Sequence, residues 1–435
     1  MKNIPPVPVR KSRKPRSLGT IVVVVLLALI APLPARTQTS TPSSNWQQEV
    51  RTLLNARAKA VTDGNEQAFV ATMRGAKAEF REEKVTWFRR LRALPLGHYS
   101  LVFDQGEYSE LTRAKDLQKY PGEVHVIQVK ERIGFRGYDV TYGAEDVFLT
   151  VLKGGQGWGV VADDDVVDIA LQSNRNLWDF GPVDFVQDDG IVVMFHPSER
   201  EAGARMLAIS KTARDAVIRQ WPNRWRENKI VLMIPTTVNE LARILQTTFD
   251  LSTFVAFAAS SVDREKGWDL IGPRVYLHWP NFRDYSTAFQ RSILQHEFLH
   301  LAARELTGPY VTSIMDEGVA QYYGEAAYNP PTPQLRTMVR AGRFDRHLAE
   351  DFIFTAGTPN EIYAAYEQAN HFIAYVGDRY GRSAGARLYR DFAAQSAVAP
   401  GTWRYHLDRA CRSALGIPFA TLERDWARRV VQELS

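Results

Sequence analysis

The sequence predicts an α+β protein in two units, and three observations carry that reading. Helical periodicity fills the stretch after residue 45, strand-like runs follow it to about residue 162, and from Gly190 strands and helices interleave before helices take over to the C-terminus. A chain of 435 residues with 45% apolar and 24% charged residues has a globular composition and enough length for two cores. It contains no internal repeat and no long low-complexity tract.

Residues 1–35 stand apart from both units. Lys2, Arg10, Lys11, Arg13, Lys14 and Arg16 precede an apolar run, Ile21 to Ala31, and the segment contains no acid. The chain's formal charge is +5, but outside this segment basic and acidic residues number 48 and 49, so the basic excess belongs to the leader and nucleic acid is dropped as a partner. Eleven apolar residues suit a signal-peptide core better than a membrane span of about 20. Cleavage after Ala35 would put Leu33 where a small residue is preferred, so an uncleaved anchor over residues 18–35 stays open beside the signal peptide. Both versions export the rest, either secreted or anchored to the outer face of the cytoplasmic membrane, beyond a polar linker at 36–44. The single Cys411 excludes an internal disulfide framework and is expected in the core.

In the first unit, 45–175, Val50, Leu53, Leu54, Ala58 and Val61 recur at helical spacing, and a second helical stretch spans Ala68 to Leu94. Strands are expected at 124–129, 146–152 and 158–162, the last two joined by a hairpin through Gly154, Gly155 and Gly157. Asp163, Asp164 and Asp165 at a strand end are read as a solvated turn in preference to a cation site. In the second unit, 190–435, strands are expected at Gly190 to Phe195, 229–234 and 274–278, with helices at Ser198 to Gln220 and Val238 to Leu245.

The chemistry concentrates at Q-H-E-F-L-H, residues 295–300. On a helix His296 and His300 share one face, so two imidazoles meet at one point with Glu297 beside them, as in a zinc hydrolase. A chance H-E-x-x-H arises in roughly one such chain in a hundred, so a third ligand is required. The helix is expected to end near Gly308 and Pro309, after which V-T-S-I-M-D-E-G-V-A-Q-Y-Y supplies one. There Ser313 and Asp316 are spaced for a capping box that would put Glu317 in a helix's first turn, where a carboxylate stays ionised.

H-E-F-L-H followed by D-E-G-V-A-Q-Y-Y resembles the gluzincin zinc metallopeptidases, in particular the bacterial exported peptidase MA-like family, over roughly residues 190–435. The resemblance extends to Y-E-Q-A-N-H-F-I-A-Y at 366–375, similar to a tyrosine-bearing helix laid over the metal. It implies a gluzincin-type domain of small sheet, active-site helix and helical C-terminal part. It further implies one Zn²⁺ held by His296, His300 and Glu317, Glu297 as general base, and Tyr366 as oxyanion donor, with Tyr363 the competing tyrosine. The first unit's order of helices, then strands, with a Trp opening the last strand, resembles the cone-shaped nuclear-transport-factor-2-like domains, which implies a binding, spacing or folding role.

The G-x-M-E-N segment of the aminopeptidase branch is missing, so endo-cleavage of a peptide or protein substrate stays open. The strand at 274–278 is the expected edge for an extended peptide. His278 on it is read as structural in preference to substrate-binding, and His371, some 140° round the helix from Tyr366, is left out of the site. Asp316 is read either as a cap or as an orienter of a ligand histidine. The expected function is an exported zinc metallopeptidase. The competing reading is a non-catalytic exported binding or scaffold protein with a structural or vestigial zinc site.

Overall fold

The computed structural model describes residues 45–107, 117–167, 171–247, 251, 254–263, 269–306, 311–325, 332–395 and 402–435. The leader, the linker and the expected helix end at Gly308 and Pro309 lie outside these residues. Among the described residues no helix is long and apolar enough to cross a membrane. The architecture is mixed α+β with two sheets.

The first half opens with α1 (Asn45–Asp63), whose inner stripe of Val50, Leu54, Ala58 and Val61 is buried. The helical stretch expected over 68–94 holds two helices: α2 (Glu66–Ala71), capped by the Asn65 side chain, and α3 (Ala78–Arg92). Gly75 in the left-handed region (φ 75°) turns the chain between them. Strands β1 (Leu96–Glu107), β2 (Val124–Phe135), β3 (Gly143–Gly154) and β4 (Gly157–Ala162) form a curled antiparallel sheet in that order. The β3–β4 hairpin closes at Gly154 opposite Gly157, as the glycines predict.

Of the solvated turn expected at Asp163–Asp165, only Asp164 is exposed. Asp163 pairs with Lys84 at 2.7 Å and Arg175 at 2.8 Å, and Asp165 accepts from Lys119, Tyr120 and Thr150. These carboxylates tie the helices and the following loop to the sheet. Deeper in the same face, the Tyr99 hydroxyl donates to Glu131 at 2.7 Å, and Arg57 lies over the Phe69 ring.

The second sheet contains β5 (Asp184–Asp188), β6 (Ile191–Phe195), β7 (Ile230–Ile234), β8 (Ala256–Asp263) and β9 (Asp269–Leu277), in spatial order β5-β6-β7-β9-β8. β6, β7 and β9 run parallel, while β5 and β8 are antiparallel neighbours at the two edges. All residues of β6 and β7 are buried, as continuous apolar runs between helices should be. Of the strand expected to offer an edge, 274–278, residues 274–277 lie inside β9 between β7 and β8, so β8 is the outer strand of this sheet. Its A-F-A-A-S-S-V-D sequence has little strand propensity and gave no signal.

Helices α4 (Arg200–Gln220) and α5 (Val238–Ile244) flank this sheet. Then follow α6 (Thr287–Arg304), α7 (Ser313–Val319), α8 (Pro333–Arg340), α9 (Pro359–Tyr380), α10 (Ala384–Ala393), α11 (Trp403–Leu415) and α12 (Phe419–Leu434). Cys411 on α11 is fully buried, and burial pushes its thiol up to about 12.

One apolar core runs through both halves, and polar contacts fix the seam between them. Arg274 on β9 makes a two-pronged pair with Asp139, both side chains being buried. The Ser261 hydroxyl accepts from the Ala144 N–H and donates to Glu145. Gly272 (φ 54°) brings its backbone against Gly143 so closely that a Cβ would stand 2.1 Å from the Gly143 nitrogen.

Burial pushes the Glu131 carboxyl up to about 7 from 4.5, so the folded state holds its proton more tightly than the unfolded chain does. The stabilisation this gives is complete below pH 4.5 and is lost as pH rises through 7. Glu131→Gln removes the dependence. Between pH 5 and pH 8 the variant should gain about 2–3 kcal/mol relative to the native protein in urea unfolding. A gap that does not change with pH contradicts this.

Candidate metal centre

Helix α6 starts where the Ser286 side chain accepts the Phe289 N–H, and all its residues from Ser292 to Arg304 are buried. It is packed all round, which strips water from its two histidines and its glutamate. His296, Glu297 and His300 are each 0% exposed.

The two histidine Nε2 atoms stand 3.0 Å apart, and Glu317 Oε2 lies 3.1 Å from that of His296 and 3.6 Å from that of His300. One atom from each of the three residues thus falls within a 4.8 Å cluster, the geometry of a group that could hold a metal ion. Glu317 comes from α7, which packs hard on α9: a Cβ on Gly318 would meet the Ala369 carbonyl at 2.7 Å. Only glycine allows this approach at that point.

The expected capping box does not form. Thr312 precedes α7 without a side-chain cap, and the Ser313 N–H donates to Asp351 at 2.8 Å. Asp316 is turned inward instead, with Oδ2 3.3 Å from His300 Nδ1 and Oδ1 accepting the Tyr389 hydroxyl at 2.9 Å. Of its two suggested roles, the structure gives it the one beside the histidine. Glu317 therefore sits past the first turn, and the neighbouring imidazoles, not the helix start, keep it ionised. Burial opposes its charge, but His300 and His296 outweigh burial and lower its pKa.

A residue the sequence reading missed is Glu325, which accepts from His296 Nδ1 at 2.8 Å. Eight residues of α-helix would leave it about 80° round from Glu317. Residues Ala320–Gly324 instead form a π-turn, which rotates less per residue and returns Glu325 towards the site. Gly324 makes this possible, since a Cβ there would meet the Gln295 carbonyl at 2.9 Å. With Nδ1 donating to a carboxylate, His296 in its neutral form has its Nε2 lone pair facing the cluster, as a metal ligand requires.

Both carboxylate oxygens of Glu297 are buried with no hydrogen-bond partner. Burial pushes this carboxyl up to about 7 against the opposing charges of His296 and His300. Tyr366 on α9 is 1% exposed and sits edge-on to Phe354. Its hydroxyl makes no well-formed hydrogen bond, and burial followed by the Glu317 and Glu297 charges raises its pKa well above normal, so it keeps its proton. Tyr363 feels burial alone and none of the site's charges. His278 is buried with Nδ1 2.8 Å from the Phe254 carbonyl, in a backbone contact. His371 lies between Glu433 and Trp426.

Two imidazoles, each with a carboxylate on its far side, and the Glu317 carboxylate, gathered in a buried interior, fit a metal cation. No protein-family model matches this chain, and comparison with curated proteins finds no match.

Metal titration of the purified protein should show about one high-affinity site, lost in His296→Ala and His300→Ala but kept in His278→Ala. Glu325→Gln should weaken affinity by about 10- to 100-fold without abolishing it. Gly318→Ala should also weaken binding, because α7 must move away from α9. Unchanged affinity in the last two would mean that neither carboxylate backing nor close helix packing sets the site.

Proposed function

We propose that this protein is an exported zinc-dependent peptide hydrolase of the gluzincin type. The observation that carries the reading is the pairing of a three-donor cluster, His296, His300 and Glu317, with an unpartnered buried carboxylate, Glu297, one residue from a ligand. A structural zinc site would be closed by four ligands and would not need a bare, proton-accepting group beside it. That contrast favours catalysis over the scaffold reading. Export rests on the basic, acid-free leader and its apolar run.

Zn²⁺ bound to the three donors would supply a Lewis acid that polarises a scissile carbonyl and activates water. The rest of the chemistry belongs to the chain. Glu297, with a carboxyl pushed up to about 7, is matched to take a proton from an attacking water near neutral pH and return it to the leaving amine. Tyr366 keeps its proton and can donate a hydrogen bond to the carbonyl oxygen as negative charge grows there. Glu325 holds the His296 ring by a hydrogen bond, and Asp316 stands beside His300 as a negative charge 3.3 Å from its Nδ1.

A mixed peptide library read by mass spectrometry gives the test. Glu297→Gln should retain metal and lose turnover to background. Tyr366→Phe should retain metal and lower kcat by about 10²- to 10³-fold with little change in KM. Native turnover in Glu297→Gln would reject the mechanism, and a silent Tyr366→Phe would transfer the donor role to Tyr363.

A further inference from the structure

A cavity of about 450 Å³ lies in the helical C-terminal part, against α9. Its volume falls in the range of small-molecule sites, about 300–1,000 Å³. Met338 from α8, Ala364 from α9, and Leu348 and Ile353 from the chain between them make much of its wall apolar. Gln368 also lines it, two residues after Tyr366 and therefore about 200° round the helix, so the cavity is on the side of α9 away from the metal centre.

The charged groups at this cavity are paired or open to water. Arg404 pairs with Glu350 at 3.1 Å and with Glu423 at 2.8 Å. Glu361 caps α9 by accepting the Thr358 N–H and hydroxyl, and the Arg343 charge acts on it. Arg343 and Asp345 are exposed, and Asp345 accepts the His347 N–H at 3.0 Å. An ion therefore gains little here. Gln368 is different: it is 5% exposed, and its side-chain carbonyl oxygen is buried with no hydrogen-bond partner. Leaving such a group bare costs its full desolvation, so a partner reaching it from the cavity gains more than one at the surface. A half-turn of the planar amide exchanges oxygen for nitrogen, so Gln368 can turn either an acceptor or a donor to the cavity. The complement is a group that also carries both.

We propose that this cavity binds a small neutral molecule with an apolar body and a carboxamide group, the amide pairing with Gln368 and the apolar body resting on Leu348, Ile353 and Ala364. None of the metal-centre residues lines it, so the site does not depend on metal or on any reaction.

Ligand-observed NMR titration of the purified protein with phenylpropanamide, phenylpropanoate and phenylpropylamine tests it, because the three share one apolar body and differ in charge. Each titration is run with and without EDTA, since a carboxylate or an amide can also reach a metal. The expected result is saturable binding of the amide, unaffected by EDTA, with the acid and the amine at least about tenfold weaker because a charge must be stripped of water. Gln368→Leu should weaken the amide by about three- to tenfold and leave the acid and the amine unchanged. Met338→Trp, at a half-buried position on α8, should narrow the cavity and weaken all three, and it keeps the test open if the Gln368 variant does not fold. The proposal is overturned if the amide does not saturate, if the acid or the amine binds as well, if EDTA abolishes binding, or if both variants bind like the native protein.

Discussion

The structure depends on keeping His296, His300 and Glu317 face to face in a space that excludes water. Two imidazoles at 3.0 Å and a carboxylate beside them are poor neighbours unless a cation or a shared proton lies between them. Burial raises the stakes, because every uncompensated polar group costs more in a low-dielectric interior. The protein meets this with a second layer: Glu325 behind His296, Asp316 behind His300, and Tyr389 behind Asp316. Glu325 fixes the His296 ring and its proton by a hydrogen bond, while Asp316 faces His300 as a charge.

That layer is assembled by backbone contacts that tolerate no side chain. Gly318 lets α7 meet α9, and Gly324 lets the π-turn meet α6 at the position of His296. The helices in turn rest on a sheet whose central strands are buried on both faces, and the first half is locked to β9 through the Asp139–Arg274 pair. Position in the centre is thus set by packing at several points far apart in sequence.

The sequence showed the local part of this well. Spacing within one helix displays His296, Glu297 and His300 directly, and Glu317 lies close enough downstream to be read with them. Strands with strong apolar alternation, such as 146–152, were visible, whereas β8 was hidden by its alanines and serines and β1 by the glycine and polar residues near its start. Glu325 could not be read because an ordinary helix would turn it away, and π-turns have no simple sequence signature. The capping pattern at Ser313 misled because Asp316 does more for the fold beside His300 than at a helix start. Sheet order, which moved the edge from β9 to β8, is set by long-range pairing that no local pattern reports. The acids at 163–165 read as solvated because their partners, Lys84, Arg175 and Lys119, are distant in the chain.

His296, His300 and Glu317 should together form an open metal site. Anomalous diffraction at the zinc edge from zinc-equilibrated crystals measures this directly. One strong peak is predicted, about 2.0–2.2 Å from His296 Nε2, His300 Nε2 and a Glu317 oxygen, with Glu325 and Asp316 held off and one position left to solvent. A fourth protein ligand in that shell, or zinc bound only elsewhere, contradicts it.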